Sequence, residues 1–443
     1  MEIKSILIAN RGEIALRALR TIKEMDKKAI CVYSEADKDA LYLKYADASI
    51  CIGKARSSES YLNIPAIITA AEIAEADAVF PGYGFLSENQ NFVEICAKHN
   101  IKFIGPSVEA MNLMSDKSKA KQVMQRAGVP VISGSDGALA GAEAAKKLAK
   151  EIGYPVILKA AAGGGGRGMR VVENEKDLEK AYWSAESEAM TAFGDGTMYM
   201  EKYIQNPRHI EVQVIGDSFG NVIHVGERDC SMQRRHQKLI EESPAILLDE
   251  KTRTRLHETA VKAAKAIGYE GAGTFEFLVD KNLDFYFIEM NTRLQVEHCV
   301  SEMVSGIDII EQMIKVAEGY ALPAQESIKL NGHSIECRIT AEDSKTFLPS
   351  PGKITKYIPP AGRNVRMESH CYQDYSVPPY YDSMIGKLVV WAEDRNKAIA
   401  KMKVALDELL ISGIKTTKDF HLSMMENPDF INNNYDTNYL ARH

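Results

Sequence analysis

The chain has 443 residues, of which 45% are apolar and 26% are charged, and its formal net charge is −7. This length predicts two to four globular domains. The acidic balance and the lack of a basic tail argue against a nucleic-acid partner. The sequence has no apolar run of roughly 18 residues, which a membrane span requires, and no segment with the composition of a signal or transit peptide. We therefore expect no membrane partner.

The cysteines are scattered, odd in number and never arranged as Cys-x-x-Cys. This pattern predicts a reducing compartment, which for this chain means the cytoplasm, and argues against a disulfide framework or a structural zinc site. The seven positions are Cys31, Cys51, Cys96, Cys230, Cys299, Cys337 and Cys371.

Strands and helices alternate over roughly the first 115 residues. Short apolar runs at 5–9, 29–33 and 78–80 predict buried strands, and helical periodicity is present at 13–27 and 64–74. This alternation is typical of an α/β domain with a doubly wound parallel sheet. The first turn holds one glycine, Gly12, and so does not match the spaced glycines of a dinucleotide-binding fingerprint.

The rest of the chain combines strands and helices in an α+β manner. The predicted strands lie at 155–161, 169–172, 198–204, 209–217 and 222–229, and the predicted helices lie at 175–190, 252–267 and 395–410. A β-hairpin is predicted over 274–290, and strands with proline-rich turns follow residue 335.

A glycine-rich loop lies in KAAAGGGGRGMRVV, residues 159–172. Gly163 and Gly168 have P-loop spacing, but Met169 and Arg170 stand where that motif needs Lys and Ser or Thr. The glycines also match G-x-G-x-x-G, but a strand follows them, whereas a dinucleotide-binding motif must open a helix. Both of these interpretations are therefore excluded.

The remaining interpretation is a mobile glycine flap that closes over nucleotide phosphates. Its backbone N–H groups would bind phosphate oxygens without interference from Cβ atoms, and Arg167 and Lys159 would add positive charge. A flexible surface hairpin without a ligand is the alternative.

Two carboxylates are predicted to oppose each other in the hairpin TFEFLVDKNLDFYFIEMNTR. If Asn282 and Leu283 form the turn, Glu276 faces Glu289, and Asn291 lies on the same face. Opposed like charges are destabilising unless a cation lies between them. Hard oxygen ligands select Mg²⁺ or Mn²⁺. The alternatives are a carboxyl pair with a raised pKa or an exposed strand face.

Three polar residues follow the hairpin at alternate positions, Arg293, Gln295 and Glu297. Strand alternation would place them on one face, where an arginine and an amide can hold a small planar anion and a carboxylate can take its proton. Surface salt bridges are the alternative.

The segment RDCSMQRRHQKLIEESP, residues 228–244, is rich in basic side chains. They either contribute to the same anionic site or form a solvated charged loop. Cys230 within the segment is interpreted as structural, because phosphoryl transfer does not need a thiol.

Taken together, these features resemble those of ATP-grasp enzymes and, more narrowly, of the biotin carboxylase subunits of bacterial acetyl-CoA carboxylases. The resemblance extends over nearly the whole chain. Its blocks are IANRGEIALR (8–17), FPGYGFLSEN (80–89), KAAAGGGGRGMR (159–170), ERDCSMQRRHQKLIEESP (227–244), FIEMNTRLQVEH (287–298) and PPYYDSMIGKL (378–388).

The resemblance implies an ATP-grasp fold in four segments. These are an N-terminal doubly wound Rossmann-like domain (1–115), a lid region with the glycine flap (116–204), the catalytic ATP-grasp sheet (205–334) and a C-terminal mixed β-rich domain (335–443). The cofactors and substrates that it implies are ATP, Mg²⁺ or Mn²⁺, bicarbonate and biotin attached to a carrier protein.

The implied reaction is the carboxylation of biotin by bicarbonate through carboxyphosphate, with ADP and phosphate as the other products. It would be the first half-reaction of acetyl-CoA carboxylase in fatty-acid (malonyl-CoA) synthesis. A biotin carboxylase subunit of a pyruvate or acyl-CoA carboxylase is the alternative. The implied partners are the biotin carboxyl carrier protein, carboxyltransferase subunits and a second copy of this chain in a homodimer.

The resemblance also implies roles for individual residues. Glu297 would be the base that deprotonates bicarbonate, Arg338 would stabilise the biotin enolate, and Tyr83 would lie against the biotin ring. Lys238 and Arg293 would also be catalytic, with Lys238 bridging the γ-phosphate and the bicarbonate. Bicarbonate would be bound by Lys238, Arg293, Gln295 and Val296, and the metal by Glu276, Glu289 and Asn291. The residues implied for ATP are Lys117, Lys159, Gly164, Gly165, Gly166, Arg167, Gly168, Glu201, Lys202, Ile204, His209, Gln233, His236, Glu276 and Glu289.

Two other functions are compatible with a metal–nucleotide site. One is a different ATP-grasp ligase that forms an acyl or carbamoyl phosphate and uses an amine or ammonia. The other is a nucleotide-sensing subunit that binds Mg-ATP without turnover. The joint presence of Lys238, Glu297 and Arg338 argues against the second.

Overall fold

A computed structural model of the chain describes residues 2–161 and 168–443. It divides into two compact units. The first unit comprises Met1–Asp116, Arg208–Glu276 and Glu289–His443, and the second comprises Lys117–Pro207 and Phe277–Ile288. Among the residues that the structure describes, no helix has both the length and the apolar character needed to cross a membrane.

The N-terminal part of the first unit is built on a five-stranded parallel sheet in the order β3-β2-β1-β4-β5. Its strands are β1 Ser5–Ile8, β2 Lys28–Tyr33, β3 Ala48–Cys51, β4 Ala78–Phe80 and β5 Lys102–Phe103, and its helices are α1 Gly12–Glu24, α2 Ile64–Ile73, α3 Gln90–Lys98 and α4 Val108–Ser115. The predicted doubly wound sheet is confirmed.

Strands β3 and β5 were not predicted, and each escapes detection for a physical reason. β5 has two residues, and β3 alternates half-buried with exposed side chains, so neither forms an apolar run. Helix starts are marked more clearly in this sequence. Asn63, Asn89 and Ser107 cap α2, α3 and α4, because each side chain accepts a hydrogen bond from a backbone N–H of the first turn.

A second sheet of the chain has eight strands in the order β13-β12-β9-β10-β11-β14-β19-β17. The strands are β9 Arg208–Gly216, β10 Val222–Arg234, β11 Gln237–Ser243, β12 Gly271–Val279, β13 Phe285–Asn291, β14 His333–Thr340, β17 Val365–Ser369 and β19 Met384–Ala392. The pairs from β9 to β17 whose register is resolved are antiparallel. This sheet brings side chains from distant parts of the sequence side by side.

Helices and two small ladders complete the first unit. The ladders pair β15 with β18 and β16 with β20. The remaining bounds are α8 Glu250–Ala266, α9 His298–Ser305, α10 Ile309–Glu318, β15 Gly352–Lys353, β16 Lys356–Ile358, β18 Ser376–Val377, α11 Arg395–Glu408, β20 Leu410–Ser412, α12 Lys418–Met425, α13 Pro428–Ile431 and α14 Tyr439–Arg442.

The second unit contains a three-stranded antiparallel sheet in the order β7-β6-β8. Its elements are α5 Lys117–Arg126, α6 Ala142–Ile152, β6 Val156–Ala160, β7 Met169–Val172, α7 Glu175–Phe193 and β8 Met198–Lys202. The strand–loop–strand context of the glycine flap is confirmed, because β6 and β7 pair directly. The flap residues Gly164, Gly165, Gly166 and Arg167 lie outside the described residues.

The turn of the β12–β13 hairpin differs from the prediction. The Asp280 N–H donates to the Asp284 carbonyl (2.9 Å) and the Leu283 N–H donates to the Asp280 carbonyl (3.1 Å), so three residues form the turn. Leu283 adopts a left-handed φ of 63°. The predicted two-residue turn of Asn282 and Leu283 is wrong, because the Asp280 side chain also accepts from the Asn282 and Asp284 N–H groups and stabilises the wider turn.

Candidate active site

The basic segment at 228–244 is a β-hairpin rather than a solvated loop. Arg234 pairs with Gln237 across the ladder, and Arg235 and His236 form the turn with φ values of 50° and 66°. The exposed residues of this basic segment are the turn residues and the adjoining Gln237, whereas Arg228 is completely buried. The hairpin therefore carries its functional cations on the strands.

The Arg228 guanidinium is held by side chains from several strands and from α9. Its Nε donates to Glu211 at 2.6 Å. The remaining contacts are to Gln213 (2.8 Å), Ser301 (3.1 Å), Gln295 (3.1 Å) and Thr274 (3.2 Å). A buried cation with all of these partners fixes the positions of Glu211 and Gln295.

One ammonium group connects three buried carboxylates. Lys238 Nζ lies 2.6 Å from Glu211 Oε2, 2.7 Å from Glu297 Oε1 and 3.0 Å from Glu276 Oε1. The Lys238 side chain is 13% exposed, and the three carboxylates are at most 7% exposed. We call these four side chains the Lys238 cluster.

The charges in the Lys238 cluster shift one another's pKa values. Burial opposes ionisation of Glu297, but Lys238, Arg338 and Arg228 outweigh it and hold its pKa well below the usual range. Burial also opposes the charge on Lys238, yet the three carboxylates raise its pKa well above the ordinary value. For Glu276, Lys238 and His209 outweigh burial and lower the pKa. Glu276, Glu297 and Lys238 are therefore ionised at neutral pH.

Glu276 also receives the polar groups that follow the hairpin. Its Oε1 accepts hydrogen bonds from Asn291 Nδ2 and Gln295 Nε2, both at 2.8 Å, and its Oε2 lies 2.9 Å from His209 Nε2. The predicted proximity of Glu276 and Asn291 is confirmed. Glu289 is half-buried in β13, two residues before Asn291.

The polar trio at 293–297 does not lie on a strand. β13 ends at Asn291, and Glu297 stands at the N-terminal boundary of α9. Strand alternation was the wrong reason for grouping these residues, yet Glu297 belongs to the Lys238 cluster and Gln295 contacts it through Glu276. Arg293 donates instead to Glu88 (3.0 Å) and to Asn291 Oδ1 (2.9 Å).

Arg338 connects the Lys238 cluster to the next strands of the sheet. Its NH2 donates to Glu297 Oε2 at 2.9 Å and its Nε donates to Glu241 at 2.5 Å. The guanidinium therefore lies between two carboxylates, one of which is the predicted base.

Four other residues of the first unit were predicted to contact a substrate. Val296 accepts a hydrogen bond from Lys387 Nζ at 2.7 Å through its carbonyl oxygen. The same ammonium lies 5.9 Å from the centre of the Tyr83 ring. Gln233 is the register partner of Lys238, and its side chain is buried. His236 remains in the exposed turn, where no described carboxylate pairs with it.

The second unit holds a separate group of predicted residues. Glu201 on β8 is contacted by Lys159 Nζ at 2.5 Å and by Lys121 Nζ at 3.0 Å, and both ammonium groups lower its pKa against the effect of burial. Lys202 Nζ donates to the backbone carbonyls of Gly153 (3.1 Å) and Tyr154 (2.7 Å).

Three further predicted residues of the second unit complete its description. Lys117 is exposed at the start of α5, and Ile204 is half-buried just after β8. Gly168 has a φ of 72°, and a Cβ at this position would lie 2.7 Å from the Ala160 Cβ. This close approach at the end of the flap requires glycine.

Sequence reasoning missed several members of the site. Glu211 had a detectable signal, because His209, Glu211 and Gln213 alternate with three apolar residues in a fully buried strand. Lys121 lies one helical turn after Lys117. Glu241, Glu88 and Lys387 had no comparable signal, since their partners come from strands or loops far away in the sequence.

Comparison with known proteins gives matches along nearly the whole chain. Residues 2–111 match the family model of the biotin carboxylase N-terminal domain, 116–325 match the ATP-binding domain of the carbamoyl-phosphate synthase L chain, and 336–442 match the biotin carboxylase C-terminal domain. A biotin carboxylase from Nostoc sp. is 54% identical over 442 residues, covering 99% of each chain.

Solved structures agree with these matches. A biotin carboxylase–β-γ-ATP complex from Campylobacter jejuni is 98% identical, with a TM-score of 0.94 and coverage of 100% of this chain and 99% of that one. The biotin carboxylase domain dimer of Hydrogenobacter thermophilus 2-oxoglutarate carboxylase, in complex with MgADP, ADP and bicarbonate, is 49% identical. Its TM-score is 0.91, and the match covers 100% of this chain and 98% of that one.

The ATP-binding fold and the buried cluster of carboxylates and cations define an ATP-grasp ligase. The chain belongs to the biotin carboxylase family. It is an enzyme that carboxylates biotin in an ATP-dependent reaction, and the predicted family, fold class and reaction are confirmed.

Proposed function

We propose that the Lys238 cluster is the place where bicarbonate is activated for attack on ATP. The observation that carries this proposal is the bridge that Lys238 and Arg338 make to Glu297. Glu297 takes the bicarbonate proton, and the resulting dianion attacks the γ-phosphate to give carboxyphosphate and ADP. Lys238 offsets the negative charge that develops on the transferred group.

Glu297 is a weak base while both cations hold it, because its pKa is far below the usual range. Substrate anions compete for the same cations. When bicarbonate and the γ-phosphate attract Lys238, the Glu297 carboxylate loses a partner and its pKa rises toward the range needed for proton transfer. Substrate binding therefore creates the base, and proton uptake without substrate is suppressed.

The residues around Glu276 fit a hard divalent cation. The Glu276 carboxylate is ionised and lies beside the Asn291 amide, with Glu289 two residues away on β13. Oxygen donors of this kind suit Mg²⁺ or Mn²⁺. We infer that Glu276, Glu289 and Asn291 hold the ion, which when bound neutralises phosphate charge. In this structure, Lys238 and His209 pair with the Glu276 carboxylate.

The remaining substrate contacts follow the same assignment. We infer that Arg293, Gln295 and the Val296 backbone hold bicarbonate together with Lys238. The ATP contacts are assigned to Lys117, Lys159, the Gly164–Gly168 flap, Glu201, Lys202, Ile204, His209, Gln233 and His236. The lysines close to Glu201 support this assignment, because they supply positive charge that a carboxylate shields when no phosphate is present.

Arg338 serves the second chemical step in this proposal. Released phosphate removes the N1′ proton of biotin, and the enolate that forms attacks CO₂. The Arg338 guanidinium stabilises the enolate oxygen, and Tyr83 lies against the biotin ring. The support is that Arg338 is held between Glu241 and Glu297, so its position is fixed before biotin arrives.

The physiological substrate is proposed to be biotin on a biotin carboxyl carrier protein, with carboxyltransferase subunits using the product. The supporting observation is coverage. The chain matches 99% of the length of a biotin carboxylase from Nostoc sp.. A homodimer is proposed from the dimeric domain of the 2-oxoglutarate carboxylase. Light scattering of the purified chain tests this assembly.

Fatty-acid synthesis is the proposed pathway, with malonyl-CoA as the eventual product. A keto-acid carboxylase is the second candidate, because a domain of a 2-oxoglutarate carboxylase is 49% identical to this chain. Co-purification of the carrier and carboxyltransferase from the native host, followed by assays with acetyl-CoA, pyruvate and 2-oxoglutarate, distinguishes the two candidates.

The division of the chain into four segments and its location in the cytoplasm also stay predictions.

The direct test of the mechanism is incubation with Mg-ATP, labelled bicarbonate and free biotin, followed by measurement of carboxybiotin. We expect labelled carboxybiotin, and ATP hydrolysis that depends on bicarbonate and is stimulated by biotin. Arg338→Ala should abolish carboxybiotin formation while nucleotide binding stays within about threefold, because the side chain acts on the enolate. Loss of ATP binding in this variant would contradict the assignment of Arg338.

A further inference from the structure

Two buried carboxyl groups face each other behind Arg338. Glu241 on β11 and Glu336 on β14 are direct register partners in the antiparallel ladder, so their side chains share one face of the sheet. Both residues are completely buried. Two like charges in this position repel each other strongly when water is absent. At least one of the two carboxyl groups must be compensated or neutral.

The two carboxyl groups differ in their partners. Glu241 accepts a hydrogen bond from Arg338 Nε at 2.5 Å. Neither carboxylate oxygen of Glu336 has a hydrogen-bond partner among residues 2–161 and 168–443. An ionised carboxylate without a partner is among the most costly groups to bury, whereas a protonated one is much less so. The geometry therefore identifies Glu336 as the neutral member.

The other charges near Glu336 are already engaged. Lys387, the register partner of Arg338, donates to the Val296 carbonyl and lies 3.4 Å from Glu13. Arg338 is shared by Glu241 and Glu297. Burial raises the pKa of Glu336 well above its ordinary value, against the opposing effect of Lys387. Burial also raises the pKa of Glu241, but only to about 7, because Arg338 opposes it. The ionisable groups around Glu336 are Glu241, Glu297, Cys299, Cys337, Arg338 and Lys387.

We propose that Glu336 keeps a proton throughout the catalytic cycle and that Glu241 is ionised, which makes the pair a positioning device for Arg338. The single negative charge of the pair binds Arg338 Nε and directs its NH2 toward Glu297 and the reacting biotin. An ionised Glu336 would add a second anion near Arg338 and weaken the positive field on the substrate side. This inference rests on the proposed role of Arg338.

The proposal predicts an asymmetry between two matched substitutions. Glu336→Gln replaces a neutral acid with a neutral amide of the same shape, so kcat for carboxybiotin formation should stay within about threefold. Glu241→Gln removes the anion that holds Arg338. We expect kcat to fall about tenfold or more, with the KM for ATP unchanged, because an interaction that orients a catalytic group is lost.

Infrared difference spectroscopy of the full-length enzyme tests the protonation state directly. At pH 8 the wild-type spectrum minus that of Glu336→Gln should contain the carbonyl band of a protonated carboxylic acid, and the corresponding spectrum for Glu241→Gln should show loss of a carboxylate band. A missing acid band, or a harmful Glu336→Gln together with a harmless Glu241→Gln, overturns the proposal.

Thermal unfolding of both variants separates positioning from folding. A fall in melting temperature for Glu241→Gln without a change in kcat would mean that the pair is only structural, and would overturn the proposal. The spectroscopic result is independent of the role of Arg338. If Arg338→Ala still forms carboxybiotin while the acid band is present, the proposed function of Arg338 fails and the protonation of Glu336 stands.

Discussion

Two groups of charged residues predicted to contact substrate have opposite characters. In the first unit, Lys238 is 13% exposed and is surrounded by three carboxylates that are almost fully buried. In the second unit, Lys159 is 39% exposed and shares Glu201, which is 22% exposed, with Lys121. The first arrangement is fixed by its own neighbours, whereas the second is a partly solvated ion pair that a ligand can replace at little cost.

This difference separates the expected consequences of substitution. Buried ion clusters contribute little net stability compared with apolar packing, but removing one partner leaves an uncompensated charge. Changes in the Lys238 cluster should therefore affect both chemistry and folding. Changes around Glu201 should affect substrate affinity and leave folding almost unaltered.

Glu297→Gln is expected to have the largest effect on activity. The amide cannot take the bicarbonate proton, so bicarbonate-dependent ATP hydrolysis should fall about 10³-fold, as is typical for loss of a general base. The KM for ATP should change less than about threefold, because Glu297 is not proposed to bind the nucleotide. Steady-state release of ADP measures both quantities.

A matched control is Glu94→Gln, since Glu94 is an exposed residue on α3. This variant should retain wild-type activity. Bicarbonate-dependent turnover that survives in Glu297→Gln at more than about a tenth of the wild-type rate would show that another group is the base.

Lys238→Met tests whether the buried cluster depends on its central cation. Without the ammonium, Glu211, Glu276 and Glu297 repel one another, and we expect the free energy of unfolding to fall by about 3 kcal/mol. Trp391 lies in the first unit and Trp183 in the second, so urea unfolding followed in a Trp183→Phe background reports on the first unit. An unchanged unfolding midpoint would mean that the carboxylates are not held by Lys238.

Acid sensitivity should also originate in a buried carboxylate. Burial opposes the charge on Glu227, but His257 and Arg253 outweigh it and lower its pKa to about 2. Because the folded pKa lies below the unfolded one, this stabilisation is complete above about pH 4.5 and is lost as the pH falls toward 2, an effect of about 3 kcal/mol.

Urea unfolding between pH 5 and pH 2 measures this loss. The wild-type midpoint should fall with decreasing pH, and Glu227→Gln should show a flatter dependence. Glu179→Gln is the matched control, because Glu179 pairs with Lys146 at the surface of the second unit. If the urea midpoints of wild type and Glu227→Gln depended on pH in the same way, another group would be responsible for the acid sensitivity.

Local patterns in the sequence predicted much of the fold. Apolar runs and helical periodicity located β1, β2, β4, α1 and α2 to within a few residues. The strand after the glycine loop excluded two phosphate-binding motifs, and β7 confirms this reasoning. These features depend on residues close together in the chain, so single-sequence arguments suffice for them.

The candidate site was predicted only in part, because its contacts depend on pairing between distant strands. Glu276 and Asn291 belong to one hairpin, and their proximity was foreseen. Glu241 meets Arg338 from another strand of the eight-stranded sheet, and the two residues are far apart in the sequence. The register between such strands is set by packing of the whole sheet, which no local pattern reveals.

The smallest effect is expected for Lys159→Met in the second unit. Lys159 is partly exposed, and its partner Glu201 keeps Lys121 at 3.0 Å when Lys159 is removed. The free energy of unfolding should therefore change by less than about 1 kcal/mol. If Lys159 binds a phosphate of ATP, the KM for ATP should rise about tenfold, with kcat affected less.

An unchanged KM together with a large loss of stability would contradict the difference drawn between the two groups of charges. It would show that the ion pair between Lys159 and Glu201 is structural. Lys146→Met, which removes another surface lysine of the same unit, should alter neither quantity.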